Sequence, residues 1–141
     1  MSVSRQIAGS LLLVEDDEST RSLLREALGN EPGVRILEAN SAEQALDVLE
    51  LSNEMPALVI VDVGLPDLDG EQFMRAVRRR YGPDLPLMVF SGLPAEEVRE
   101  IARRVEAQSA IVKPFELLHF LREVRRVIRQ AEFADGARRE N

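Results

Sequence analysis

Short apolar runs alternate with amphipathic segments five times along this chain. The apolar runs cover residues 11–14, 34–38, 57–61, 86–90 and 109–112. Each run precedes a segment with helical spacing of apolar residues, at 19–29, from 41 onward, and at 71–80, 94–105 and 116–131. This alternation predicts an α/β fold with a doubly wound parallel sheet of five strands, covered by helices on both faces as a three-layer α/β/α sandwich.

The length of 141 residues fits one domain, which we place at residues 11–130 between flexible segments at 1–10 and 131–141. The chain has no cysteine, no apolar run long enough to span a membrane and no signal peptide at its start. Its net charge of −7 disfavours direct binding to nucleic acid. We therefore expect a soluble cytoplasmic protein without a membrane or nucleic-acid partner.

Polar side chains follow four of the five predicted strands. Glu15 and Asp16 follow the first strand, Asp62 the third, Ser91 the fourth and Lys113 the fifth. Because the carboxyl ends of parallel strands lie at one edge of the sheet, we expect these side chains to converge. Lys113 is the only lysine among 18 basic residues, which reflects either chance or a requirement for a compact ammonium group.

Three of the converging residues are acids, and clustered carboxylates repel each other unless a cation compensates them. Mg²⁺ is usually held by a few carboxylates and waters. A carboxylate beside Mg²⁺ can attack phosphorus and form an acyl phosphate, and Lys113 and Ser91 can then bind the phosphoryl oxygens. The structural alternatives are that acids after the first strand favour a helix start, and that Asp62 caps a loop. A cis bond before Pro114 would aim Lys113, although most X–Pro bonds are trans.

Four motifs occur at the four strand ends: LLLVEDDE, VIVDVGLPDLDG, VFSG and IVKPF. In this order and spacing, over residues 10–130, they resemble the receiver domain of two-component response regulators. The resemblance implies a flavodoxin-like (βα)5 fold and a signalling protein rather than an enzyme. It also implies that Asp62 accepts a phosphoryl group from a phosphohistidine of a sensor histidine kinase or a histidine phosphotransfer protein, and that a downstream partner, not identified by the sequence, responds.

The same resemblance implies a Mg²⁺ site, with Mn²⁺ as a substitute. Asp16 and Asp62 are the implied carboxylate ligands, and the backbone carbonyl of Gly64 is a further ligand. Glu15 is expected to bind the ion through water. Asp17 adjoins this set, and we interpret it as the start of a helix rather than as a ligand.

The implied switch is incomplete in this sequence. Lys113 is expected to pair with Asp62 and then with the phosphoryl group, while Ser91 turns inward to bond that group. The family commonly has Tyr or Phe three residues before the lysine, and this chain has Ala110 there. We therefore hypothesise that phosphorylation acts on the face of the fourth helix through Ser91 and backbone shifts alone.

Three other functions are alternatives for this sequence. A phosphatase of the haloacid dehalogenase type needs an acid two residues after the nucleophile, and Gly64 stands there. A flavodoxin-like cofactor binder needs a phosphate-binding loop after the first strand, where this chain has four acids. An adaptor that works without phosphorylation stays open because of Ala110.

Three features outside the motifs have plain structural interpretations. His119 is expected to lie at the surface or to be partly packed, and Arg78–Arg80 to form a solvated end of a helix. The last helix has a wide apolar stripe, which we interpret as core. A homodimer or partner surface on that helix is the alternative.

Overall fold

The computed structural model describes residues 9–52, 55–64 and 70–140, with the side chains of the last helix described up to residue 132. It contains five strands, Gly9–Val14 (β1), Val34–Ala39 (β2), Leu58–Asp62 (β3), Leu87–Ser91 (β4) and Ser109–Val112 (β5). The helices are Glu18–Gly29 (α1), Ala42–Leu51 (α2), Gly70–Tyr81 (α3), Ala95–Arg104 (α4) and Leu117–Glu140 (α5). The predicted alternation is confirmed over these described ranges.

The sheet is entirely parallel and has the strand order β2-β1-β3-β4-β5. After β1 the chain moves to β2 on one side, and it then returns past β1 to β3 on the other side. The carboxyl ends of β1 and β3 therefore flank the point where the order reverses, which is where open α/β sheets bind ligands. In the register, Val14 lies opposite Val61, and Asp62 lies opposite Phe90.

Alternate residues of the central strands enter two separate cores. On one face, Leu11 and Leu13 pack with apolar side chains of α1 and α5. On the other face, Leu12 and Val14 pack with α2, α3 and α4. All four are fully buried, and complete burial of such a side chain stabilises the fold by about 1.5–3 kcal/mol. This two-sided burial confirms the three-layer sandwich.

Two predicted helix starts are confirmed by their capping contacts. The Asp17 carboxylate accepts a bond from the amide of Thr20 at 2.8 Å, so α1 begins at Glu18. Ser41 caps α2 by accepting from the amide of Gln44 at 3.1 Å. The Gln44 side chain accepts from the amide of Asn40 at 2.6 Å, rather than from the amide of Ser41 that a standard capping box would use.

The first strand and the last helix extend beyond their predicted bounds. Strand β1 begins at Gly9, so residues 9 and 10 belong to the sheet, while residues 1–8 lie outside the described part of the chain. Helix α5 continues to Glu140 instead of ending near residue 131. The sequence of residues 131–140 has no apolar periodicity, yet most of these residues are good helix formers that can extend an existing helix.

The prediction of a solvated arginine run at the end of α3 is wrong for the first arginine, Arg78. Arg78 is partly buried, and its guanidinium donates to the backbone carbonyls of Gly82, Val105 and Glu106 at 2.7–3.0 Å. The following Arg79 and Arg80 are exposed, as predicted.

None of the helices in the described part of the chain has the length and apolar character that a membrane span requires.

Candidate functional site

Three residues from three strand ends meet at the carboxyl edge of the sheet. The ammonium nitrogen of Lys113, after β5, lies 2.8 Å from Glu15 Oε1, after β1. It also lies 3.1 Å from Asp62 Oδ2, at the end of β3. Parallel pairing of β1, β3, β4 and β5 brings together residues far apart in sequence. The predicted convergence is therefore observed for Glu15, Asp62 and Lys113.

The local backbone holds the other oxygen of Asp62. Its Oδ1 accepts a hydrogen bond from the amide of Gly64 at 2.9 Å. Helix α3 begins directly against this turn, because a Cβ on Gly70 would lie 2.5 Å from the Cα of Val63 and 3.1 Å from the Asp62 carbonyl oxygen. With one oxygen bonded to an amide and the other to an ammonium, the carboxylate has a fixed orientation.

Glu15 is the most enclosed acid of the site, with no exposed surface. Its Oε2 accepts from the amide of Asp17 at 3.1 Å while Oε1 binds Lys113. Burial raises the pKa of Glu15 to about 7, and the neighbouring Asp62 adds to the rise, while Lys113 and the Asp17 amide oppose it. The charge on Glu15 is therefore sensitive to any change in the surrounding cations.

Glu15, Asp16 and Asp62 form an acidic cluster in which one carboxylate oxygen from each lies within 4.8 Å of the others. Asp16 is exposed, so the cluster opens to solvent on its side. Three hard oxygen donors with an open side fit a divalent ion that keeps several waters. The geometry that the structure provides does not test the Gly64 carbonyl as a ligand, and that role stays a prediction.

Lys113 is compensated by both acids and lies over an aromatic ring. Burial lowers the pKa of its ammonium group, but hydrogen bonds to Glu15 and Asp62 outweigh that effect and raise the pKa overall. The ammonium nitrogen lies 4.8 Å from the centre of the Phe90 ring. The bond between Lys113 and Pro114, for which the sequence left both forms open, is cis.

Ser91 is buried at the end of β4 and has its hydroxyl engaged away from Asp62. Its Oγ accepts a hydrogen bond from the amide of Leu93 at 3.1 Å, in the turn before α4. Its carbonyl accepts from the amide of Lys113 at 2.7 Å. Ser91 is thus bonded through its backbone to Lys113, directly after β5, and through its side chain to the turn that precedes α4.

His119 and the apolar stripe of α5 agree with their structural interpretations. His119 is exposed. The apolar stripe of α5 enters the core on the α1 side, and Leu118 is its exposed member, at 65%. Ala110 is partly buried against the core on the α4 side, and the nearby Phe115 packs on the opposite core.

Arg21 makes a contact with the acidic loop that was not predicted from the sequence. Its Nη1 donates to the backbone carbonyl of Glu15 at 2.8 Å, and its Nε lies 3.4 Å from Glu38 Oε1. The available signal was a cation in the first turn of a helix, where the helix dipole favours anions.

Comparisons with known proteins agree on the family. A family model described as the response regulator receiver domain matches residues 11–125. Response regulator protein FleR of Pseudomonas aeruginosa is 39% identical over 113 residues, which cover 78% of this chain and 22% of that protein. The KDP operon transcriptional regulatory protein KdpE of Escherichia coli is 36% identical over 75% of this chain and 45% of that protein. The chain thus spans less than half the length of these two relatives.

Solved structures give the same result. The non-phosphorylated HemR receiver domain from Leptospira biflexa is 30% identical, has a TM-score of 0.76, and is matched over 85% of this chain and 94% of that one. A CheY-like response regulator receiver domain protein from Methanospirillum hungatei shares the fold, with 21% identity, a TM-score of 0.81, and coverage of 91% and 99%. With its five parallel strands and its acidic edge, this chain belongs to the receiver domain family of two-component response regulators.

Proposed function

We propose that this receiver accepts a phosphoryl group on Asp62 from a phosphohistidine of a sensor kinase or a histidine phosphotransfer protein. The observation that carries the proposal is the ammonium group of Lys113 at 3.1 Å from Asp62 Oδ2, beside two further carboxylates. A nucleophilic carboxylate, a cation for phosphoryl oxygens and a cluster of hard donors are the parts that phosphoryl transfer requires.

In the transfer, a carboxylate oxygen of Asp62 attacks phosphorus and the bond between phosphorus and the histidine nitrogen breaks. The departing nitrogen takes up a proton. Lys113 then shifts part of its bonding from the Asp62 carboxylate to the phosphoryl oxygens, while it keeps its bond to Glu15. The Gly64 amide keeps the carboxylate oriented during the attack.

Asp16 and Asp62 would hold Mg²⁺ directly with the carbonyl of Gly64, and Glu15 would hold it through water. When bound, Mg²⁺, or Mn²⁺ in its place, neutralises the negative charge of the donor phosphoryl group and of the cluster. Gly64 brings no carboxylate that could act as acid or base on the acyl phosphate, so a stored signal fits the site better than a hydrolytic cycle.

Incubation with acetyl phosphate and Mg²⁺, followed by intact mass spectrometry, tests the proposal. We expect the mass of one added phosphoryl group, its loss in Asp62→Asn and with a metal chelator, and its recovery when Mn²⁺ replaces Mg²⁺. Asp47→Asn is a matched control, because this residue is an exposed acid on α2. A phosphoryl group that persists in Asp62→Asn, or never forms on the unmodified chain, would contradict the proposal.

A further inference from the structure

Arg21 connects the acidic loop after β1 to the end of β2. Its side chain is 19% exposed, and a single guanidinium group serves both contacts. Nη1 donates to the carbonyl oxygen of Glu15 at 2.8 Å, and Nε lies 3.4 Å from a carboxylate oxygen of Glu38. The planar guanidinium presents several donors in a fixed geometry and can reach both acceptors from one side-chain position, whereas lysine has a single ammonium point charge.

The carbonyl that Arg21 holds belongs to the peptide unit that joins Glu15 to Asp16. Because a peptide unit is planar, the direction of this carbonyl fixes the direction in which the chain enters Asp16. The preceding amide of Glu15 is also held, by the carbonyl of Ala39 at 3.0 Å. The backbone on both sides of Glu15 is therefore fixed, and two of the three clustered carboxylates depend on it.

The ion pair with Glu38 does not by itself account for Arg21. Arg25, one turn further along α1, already contacts both carboxylate oxygens of Glu38 at 3.3 and 3.4 Å. Arg21 also lies near the N-terminus of α1, where a cation opposes the helix dipole. The acids Asp17 and Glu18 at the same end are favoured by that dipole. A residue that breaks a local preference without a local gain is a candidate for a role in the site.

We propose that Arg21 is a positioning residue that aims Glu15 and Asp16 at a shared cation beside Asp62. It acts through the peptide unit between the two acids and does not touch the phosphoryl group. The inference rests on the Mg²⁺ site of the proposed function. It assigns Arg21 a part in Mg²⁺ affinity rather than in the transfer step.

Titration of Mg²⁺, followed by amide chemical shifts of Glu15, Asp16 and Asp62, measures the affinity without phosphorylation. We expect Arg21→Ala to raise the dissociation constant about tenfold, as is typical when a group that orients a metal ligand is lost. Arg25→Ala is the matched control, since it removes an exposed partner of Glu38 but no bond to Glu15. It should change the constant by less than about twofold.

The Mg²⁺ dissociation constant of Arg21→Lys should fall between those of Arg21→Ala and Arg25→Ala. One ammonium group can hold the carbonyl or Glu38 but not both in the same geometry. Thermal unfolding of each variant shows whether it is folded. If Arg21→Ala is not folded, Arg21→Lys replaces it in the comparison with Arg25→Ala. Equal Mg²⁺ constants for the Arg21 and Arg25 variants would overturn the inference, as would a chain that binds no Mg²⁺ at all.

The rate of phosphorylation by acetyl phosphate separates this inference from the proposed function. Arg21→Ala should be slow at low Mg²⁺ and recover at saturating Mg²⁺, because only affinity is lost. A slow rate at every Mg²⁺ concentration, with an unchanged dissociation constant, would contradict the assignment. If the unmodified chain binds Mg²⁺ but accepts no phosphoryl group, the proposed function fails, and the shift titration still decides the role of Arg21.

Discussion

Glu15 and Lys113 set the charge of the site, and their coupling predicts opposite effects of two substitutions. Lys113→Met removes a contact that lowers the pKa of Glu15, so that pKa should rise above about 7. Asp62→Asn removes a neighbour that raises the pKa of Glu15, so that pKa should fall. A titration of the Glu15 carboxyl carbon by NMR, without metal, measures both. Shifts in the same direction would contradict this account.

The same raised pKa has a consequence for stability without metal. Glu15 is protonated more readily in the folded chain than in the unfolded chain, where its pKa is near 4.5. Its contribution to the free energy of unfolding is therefore fully present below pH 4.5 and is lost as the pH rises to about 7. Urea unfolding across this range should show a steeper loss for the unmodified chain than for Glu15→Gln.

Gly70 tests how closely α3 approaches the end of β3. A Cβ there would lie 2.5 Å from the Cα of Val63, and backbone cannot move as a flexible side chain can. Gly70→Ala should lower the free energy of unfolding by about 1–3 kcal/mol. Gly29→Ala is the control, because nothing lies within 4 Å of its added Cβ, and it should stabilise α1 by about 0.5–1 kcal/mol. Denaturant titration compares the two, and equal effects would argue against close packing at Gly70.

The sequence was enough to predict that the charged residues lie at one edge of the sheet, but not which of them form the shortest contacts. Strand ends and parallel topology sufficed to predict that Lys113 would lie near Asp62, and the resemblance to receiver domains implied that the two would pair. The shorter contact is to Glu15, at 2.8 Å against 3.1 Å, and this depends on side-chain paths that no periodicity encodes. The bond from Ser91 to Leu93 was missed for the same reason, because a hydroxyl can bond a local amide as readily as a distant group.

At the level of elements, Arg78 joins α3 to the segment that connects α4 with β5. Its guanidinium donates to carbonyls in the turn after α3 and to Val105 and Glu106 after α4. Sequence spacing predicted the helices but not this link. A cation near the end of a helix is expected on dipole grounds alone, whether it reaches a neighbouring element or remains in solvent.

Arg78→Ala should therefore lower the free energy of unfolding by more than is usual for an arginine at the end of a helix. Several partly buried carbonyls would lose their donor, and the free energy of unfolding should fall by about 2–4 kcal/mol. Arg79→Ala, the next residue and an exposed one, should change it by less than about 0.5 kcal/mol. Urea unfolding measures both variants. Similar values for the two arginines would mean that the carbonyls find water instead.

At the scale of the whole molecule, the site and the fourth helix are joined through β4. Asp62 lies opposite Phe90 in the sheet, and the next residue, Ser91, bonds the amide of Leu93 before α4. Ala110 supplies no ring that could move inward with the serine. Any signal along this route therefore depends on Ser91 and on shifts of the backbone, and we expect it to change residues 91–115.

A phosphoryl mimic makes this route testable. With beryllofluoride and Mg²⁺, the Ser91 hydroxyl should turn toward Asp62 and leave the Leu93 amide without its acceptor. The Leu93 amide proton should then shift to lower frequency and exchange faster with solvent. In Ser91→Ala the bond is absent from the start, so the mimic should leave Leu93 nearly unchanged. Ile36 on the distant edge strand β2 is an internal control. A mimic that binds Asp62 yet changes no amide of residues 91–115 would show that this receiver does not signal through Ser91.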